Sequence, residues 1–499
     1  MRHKTILTII ILLWHVCVAQ STPADDGITS KIKTVENGLR YAINVKGKSV
    51  PIFTIHERIK HYHVPAVSIA LINEGRIEWT KAYGYLDAEH MKRANTFTLF
   101  QAASISKPIS AMVALKLVEQ QRLDLDKNVN TYLRSWKVKN TSFTEKELVT
   151  LRRLLTHTAG LTVHGFLGYA ANETLPTLIQ ILNGENPANS RPVISDHTPG
   201  SHWQYSGGGY VLLQQLLEDV TGWDFSSLMQ RSVLSPINMK HSTFQQILPL
   251  SWQQRASIGH RLHGEKLPGN WHIYPESAAA GLWTTPSDLA LYVIEIQKSL
   301  QNQSNHILSK QMTEKMLTKH LGDWGLGPTI YGDNDSLAFG HGGSNEGFRS
   351  FLFGTAYSGK GAVIMTNSDD GSNLITEIVR SIAIAYDWDF HKPIMKTIVI
   401  LTPSKLAIFA GTYFLTEENA TILITAQNNH LLVKQLWNGQ EFLLYPESDT
   451  DYFVIENGFL VNFESSTDGI ITGLNFAGFK WLKMKEDENE KTFHPLFSL

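Results

Sequence analysis

Cysteine is almost absent, with Cys17 the only one in 499 residues. It sits in a short apolar stretch near the N-terminus, so a mature chain lacking that stretch has no disulfide, no thiol chemistry and no cysteine nucleophile. A chain of this length can do without bridges because its core is large. A dominant charge sign is lacking too. With 44 basic against 46 acidic residues and no basic cluster, there is no electrostatic footprint for nucleic acid or an anionic membrane. The expected partner is a small molecule or short peptide, not a nucleic acid. Long apolar runs are also missing. The one candidate, Ile6 to Val18, is broken by Thr8 and His15 and is too short to span a bilayer comfortably. It follows Arg2 and Lys4 and leads to the small residues Cys17 and Ala19, the build of a cleavable secretory signal over residues 1–19. The expectation is a secreted or periplasmic protein with no integral membrane segment after cleavage. There is no internal repeat and no low-complexity tract, which excludes a solenoid.

What is present, 42% hydrophobic and 18% charged residues, is globular in character, and the length suggests two or three domains. The segment "IFTIHERIKHYHVP" has helical spacing and stops at Pro65, and "AVSIALI" and "RIEWTKAYGYL" read as strands around the turn "NEG". Next, "SKPISAMVALKLVEQQRLDLD" predicts a helix from about Ser104 to Gln121, with Pro108 tolerable in its first turn. Helices follow in "LVTLRRLLTHTAGL", closed by Gly160, in "YVLLQQLLEDVTGW", closed by Gly222, and in "PSDLALYVIEIQKSL", opened by Pro286. Strand patterns return in "SLAFGHGG", "RSFLFGTA" and "GAVIMTNS". This order predicts an α+β domain over residues 20–395: an antiparallel sheet built from both ends of the segment, flanked by helices, with a mainly helical insert. Beyond "HKPIMKTIVILTPSKL" come seven short runs, "AGTYFL", "TILITAQ", "HLLVKQL", "EFLLYPE", "YFVIENG", "FLVNFES" and "ITGLNFAG", separated by polar turns. They predict a separate all-β domain over residues 405–499, most simply a small up-and-down barrel.

Chemistry is suggested by three segments. In "AASISKPISA", Ser104 stands at a helix start, where backbone N–H groups favour a developing anion, and Lys107 lies one turn on. The Ser-x-x-Lys spacing is weak alone: roughly two arise by chance in such a chain, and Ser30 with Lys33 makes another. A lysine serves as base only if burial or nearby charge lowers its pKa, and the apolar neighbours of Lys107 offer that. In "HWQYSGGGYVLLQQLL", Tyr205 precedes a helix on a glycine-rich turn, where a phenol can shuttle a proton. In "FGHGGSNEGFRS", His341 is expected at a strand end, and Gly342 and Gly343 let a backbone approach a ligand. The N–H groups of Ser104 and Ser344 are the candidate oxyanion hole. His157 is expected to be a structural hydrogen-bonder at a helix end. His61 and His63 alternate as metal ligands on a strand do, but no carboxylate or further histidine is suitably spaced, so they read as surface residues. No metal or cofactor is called for, and the sequence leaves the oligomeric state open.

Through "ERIKHYHVPAVSIALI", "RRLLTHTAGL", "WQYSGGGY", "AAAGLWTTPSDLA" and "GHGGSNEGF", in this order over roughly residues 50 to 390, the chain resembles the class C β-lactamase and penicillin-binding-protein-like serine hydrolases, which include D-aminopeptidases and carboxylesterases. The resemblance implies a β-lactamase-like fold in which Ser104 is acylated and Lys107 and Tyr205 transfer protons. It also implies that the strand His341 to Ser344 lines the substrate cleft, and that the C-terminal portion is the lipocalin-like barrel found appended to some of these enzymes. Two departures stand out. Tyr205-Ser206-Gly207 replaces the frequent Tyr-x-Asn, so the amide that would hold an acylamino group is missing, and Ser206 and Gly207 become the substrate-binding candidates in its place. His341-Gly342-Gly343 replaces the lactamases' Lys-Thr-Gly, a variant of the peptidase and esterase branches. The expectation is an acyl-enzyme on Ser104 formed from short-peptide or D-amino-acid amides or small esters, with β-lactams behind. The rival is a catalytically silent protein that binds a peptide or cell-wall fragment. A barrel touching the cleft would also restrict substrate size.

Overall fold

Burial along residues 66–73 divides by parity: Val67, Ile69 and Leu71 enter one apolar core, Ala66, Ala70 and Ile72 another. A strand buried on both faces belongs inside a sheet sandwiched between helices. The computed structural model, which describes residues 23–484 apart from 88, 90, 91, 417, 418 and 477, has that arrangement. The expected signal segment, with Cys17, lies outside the described residues.

The chain opens with helices α1 (Pro23–Glu36) and α2 (Ile55–His61) and strands β1 (Ala66–Asn73) and β2 (Arg76–Gly84). The helical insert includes α3 (Ser106–Glu119), α4 (Leu151–Leu155), α5 (Gly207–Thr221) and α6 (Pro286–Leu300). Strands β3 (Thr329–Tyr331), β4 (Ala338–Asn345), β5 (Phe348–Thr355) and β6 (Gly361–Thr366) follow, then helix α7 (Gly371–Ala385). The sheet order is β2-β1-β6-β5-β4-β3, antiparallel throughout, so both ends of the domain meet at the β1–β6 pair. One face packs on α1, α2 and α7 through Val35, Ile55, Leu374 and Ile378. The other packs on α3, α5 and α6 through Met112, Leu213 and Val293. This is the α+β, β-lactamase-like architecture read from the sequence.

Two elements differ from expectation. Helix α4 ends at Leu155 rather than running to Gly160, because His157 turns left-handed at φ +57° and the carbonyls of Thr158 and Gly160 accept from Gly200 and Asp196 instead of from a helical turn. Strand β4 runs past His341 to Asn345, held by continuous pairing with β5.

The C-terminal unit is a closed barrel of β7 (Gly411–Leu415), β8 (Ala420–Gln427), β9 (His430–Gln435), β10 (Glu441–Pro446), β11 (Asp451–Phe453), β12 (Leu460–Ser465), β13 (Ile471–Phe476) and β14 (Phe479–Lys483). Strand β14, the eighth against seven expected, pairs with both β13 and β7 and so closes the ring. Tyr413, Ile422, Val433, Leu444 and Trp481 fill its own core. The barrel is joined to the body through Ala42 and Ile43, whose N–H groups donate to Glu456 and Ile455 at 3.0 and 3.1 Å, and through Arg380 of α7, which donates to the Glu456 carbonyl at 3.2 Å. These contacts, among the described residues, lie on the α7 side of the sheet, opposite α3 and the turn that carries Ser104. No helix among the described residues is long and apolar enough to cross a membrane.

Candidate active site

From Phe100 to Leu115 every residue is buried except Ser104. It stands in a single 3-10 turn, Ala103–Ile105, that runs straight into α3. Ala103 is held at φ +50°, a left-handed conformation that costs a non-glycine residue on the order of 1 kcal/mol. The strained turn is fixed on both sides. The Ser106 hydroxyl donates to the Ala103 carbonyl at 2.6 Å, and the Ser350 hydroxyl of β5 donates to the Ala102 carbonyl at 2.8 Å. Gly343 of β4 lies against that same carbonyl so closely that a Cβ there would collide with it and with Ser350 Oγ. A side chain at position 343 would therefore push strand and turn apart.

Lys107 is buried, with Nζ 3.0 Å from Ser104 Oγ and 2.9 Å from the Ala279 carbonyl. Burial alone pulls its ammonium down to about 7, so near neutral pH much of the amine is free to accept a proton. Tyr205 is half-buried, within hydrogen-bonding reach of Ser104, and its ring lies 4.8 Å from Lys107 Nζ. Burial raises its phenol, partly offset by the bond to Ser104, so it stays protonated. The hydroxyl and amine of one helix start and the phenol of a distant segment thus converge at Ser104.

His341 is buried in β4; its Nδ1 donates to the Gly342 carbonyl at 2.5 Å, and burial followed by the Lys107 charge lowers it to about 3. Gly342 and Ser344 are exposed. Strand β3 pairs only with residues 338–340, so His341 to Asn345 present an open backbone edge on that side. Ser206 is placed differently from the expectation of a substrate-facing hydroxyl. It is the N-cap of α5, accepting from Gly209 N–H at 2.9 Å and donating to the Thr162 carbonyl at 2.9 Å, because the helix start needs an acceptor more than the cleft does. Gly207 is likewise buried, packed on the His164 carbonyl and the Phe166 ring.

Several neighbours were not identified as site residues from sequence. His157, expected only as a structural group, stacks on the Tyr205 ring at 4.2 Å, and its Nδ1 accepts from Ser206 N–H at 3.1 Å. Burial, then the Lys107 charge, hold it far below its usual range, so it is a neutral plate behind the phenol. Trp324 stands edge-on to Tyr205 at 5.7 Å and to His341 at 5.4 Å, and Trp203 lies 5.4 Å from Trp324. Trp203 shares the Tyr205 motif and had a signal; Trp324 lies on a loop with none. The cleft is thus aromatic, carries His157 and His341 as neutral imidazoles, and sets the Lys107 amine beside Ser104.

A sequence profile of the family described as Beta-lactamase matches residues 54–384. Protein flp of Staphylococcus aureus (strain N315) is 26% identical over 332 residues, covering 63% of this chain and 61% of that protein, so the chain spans under two thirds of this relative's length. Among solved structures, the octameric penicillin-binding protein homologue from Pyrococcus abyssi superposes with a TM-score of 0.59 at 22% identity, over 86% of this chain and 98% of the other. The D-amino acid amidase from Ochrobactrum anthropi SV3, solved with L-phenylalanine amide, gives 0.53 at 20% identity, over 67% and 96%. At such identities these two likenesses bear on the fold.

Proposed function

The chain belongs to the Beta-lactamase family, and from that premise we propose that it is a serine hydrolase working through an acyl-enzyme on Ser104. The observation that carries the reading is Lys107 Nζ, 3.0 Å from Ser104 Oγ in a buried setting where its pKa falls to about 7. Neutral Lys107 takes the Ser104 proton as Oγ attacks the substrate carbonyl, the protonated Tyr205 gives its proton to the leaving group, and the Lys107 ammonium then returns a proton to the phenolate, which restores both groups. Backbone N–H groups of Ser104 and Ser344 are the proposed oxyanion hole, a role supported by the close seating of Gly343 on Ala102. Water then attacks the ester with the same base and releases the acid. The substrate's backbone would lie along the open edge of His341 to Asn345, with Gly342 exposed beneath it.

We infer that short-peptide or D-amino-acid amides and small esters are the substrates, with weak β-lactam hydrolysis. An aromatic cleft whose imidazoles are neutral suits a substrate of low charge, and the amidase among the structural neighbours supports an amide. Ser206 in its cap and Gly207 under Phe166 offer no amide to an acylamino group, which argues against efficient penicillin cleavage. Export, to the periplasm or the medium, is supported by the basic start and the apolar stretch that follows it; fractionation of expressing cells would test it.

The test is labelling by a fluorophosphonate probe together with turnover of p-nitrophenyl acetate, D-alanyl p-nitroanilide and nitrocefin. Labelling at Ser104, loss of both signals in Ser104→Ala, and nitrocefin slowest of the three are expected. A folded wild type that neither labels nor turns over any of them, yet binds peptide equally well with Ser104→Ala, would leave the silent binding protein instead.

A further inference from the structure

The sequence offers His63 no metal-binding companion, but the fold does. Helix α2 ends at His61, and the chain leaves it through His63 at φ +50°. A second loop presents His263 at φ +61°, and Asp370 stands immediately before α7. Each of the three can bring one ligand atom to within 4.8 Å of the other two. The His63 and His263 rings meet edge-on at 6.2 Å, both side chains are exposed, and neither imidazole hydrogen-bonds a protein group among the described residues. Asp370 is oriented by its Oδ2, which accepts from His263 N–H at 2.7 Å and leaves Oδ1 to a ligand.

We propose that His63, His263 and Asp370 bind a zinc ion as three protein ligands, with water completing the shell. Two imidazoles and one carboxylate are borderline donors that suit zinc or its late transition-metal neighbours, whereas magnesium and calcium take oxygen. Tetrahedral bonds of about 2.0–2.2 Å set donors roughly 3.3–3.6 Å apart. The donors, within 4.8 Å of one another as they stand, would have to close by about 1 Å, a movement that two exposed imidazoles leave room for. The ion would staple the end of α2 and the start of α7 to the loop 261–264. That loop also holds the β4–β5 hairpin, since Arg261 Nε donates to Glu346 Oε1 at 2.7 Å. Zinc here is structural, acting on the hairpin that borders the cleft, and takes no part in chemistry at Ser104.

The experiment is calorimetric titration of EDTA-dialysed full chain with zinc chloride, beside thermal melts with and without zinc. The other histidines among the chain's 20 are controlled for by His63→Ala and His263→Ala at exposed positions and by Asp370→Asn, which keeps an oxygen for the His263 N–H, each checked by its melt in EDTA. Wild type is expected to bind one equivalent with a raised melting temperature, and each variant to bind at least about tenfold more weakly without that rise. A wild-type isotherm and melt indistinguishable from those of His63→Ala/His263→Ala, whether both bind or neither does, would overturn the proposal.

Discussion

Lys107 must be neutral before it can accept the Ser104 proton, and this ties the reaction to pH. Its pKa of about 7 is a burial effect, so the base form grows as pH rises through 7 and is complete above it. The rate of Ser104 acylation should fall about tenfold for each unit below that point and level off above it. Neither His341, at about 3, nor His157, far below its usual range, can supply this limb. The pH profile of fluorophosphonate labelling checks the assignment. It should persist in His341→Asn, whereas Lys107→Ala should lower labelling about a thousandfold; a limb near 7 that shifts with His341 and not with Lys107 would refute it. At this scale the catalytic candidates were legible because Ser104, Lys107 and Tyr205 lie in short segments whose order along the chain resembles a known family, the Ser-x-x-Lys spacing being weak alone. The groups that tune them were not. The φ of Ala103, the plate of His157 behind Tyr205 and the edge of Trp324 arise from contacts between distant segments, as does the meeting of His63 with His263 and Asp370.

The start of α5 shows how an element serves a side chain. Its first three residues are Gly207, Gly208 and Gly209, poor helix formers. A Cβ on Gly208 would sit 2.6 Å from the Thr162 carbonyl and 2.9 Å from Val193, so the helix gives up propensity to lie close against segment 162–166. Its cohesion then rests on the Ser206 cap, and Tyr205 is the residue immediately outside it. Ser206→Ala should cost about 1 kcal/mol, lower kcat for p-nitrophenyl acetate with KM little changed, and be partly rescued by Ser206→Thr. Thermal melts and steady-state kinetics read both effects; an unchanged kcat alongside the stability loss would separate Tyr205 placement from the cap. Long elements with clean periodicity, such as α6 and the strands β1, β5 and β6, were legible in the sequence. Those decided by partners were not: β14 has one fully inward apolar residue, Trp481, with Leu482 half-exposed, and α4 yields its last turn to the loop 196–200.

In the whole molecule, the two ends of the body are fastened by one buried ion pair. Arg58 of α2 donates to Glu377 of α7 through Nε at 2.8 Å and Nη2 at 2.6 Å, a bidentate contact between residues 319 apart. The Tyr62 hydroxyl adds a third bond to Glu377 at 2.7 Å, and the guanidinium lies 4.3 Å over the Phe53 ring. Both charged side chains are almost wholly inaccessible, at 5% and 1% exposed. Their removal from water opposes their attraction, so the pair joins helices that the sequence leaves far apart without adding much net stability. Breaking it is another matter. Glu377→Ala strands a guanidinium in an apolar site and should cost about 3–5 kcal/mol, whereas Arg58→Met with Glu377→Leu removes both charges and should recover most of that loss. Urea unfolding of the single and double variants measures the difference. Because the pair lies on the α7 face, opposite Ser104, the double variant should still label with fluorophosphonate. A Glu377→Ala variant within about 1 kcal/mol of wild type would mean that water reaches Arg58 and that the β1–β6 pairing and the apolar core hold the two ends without the ion pair.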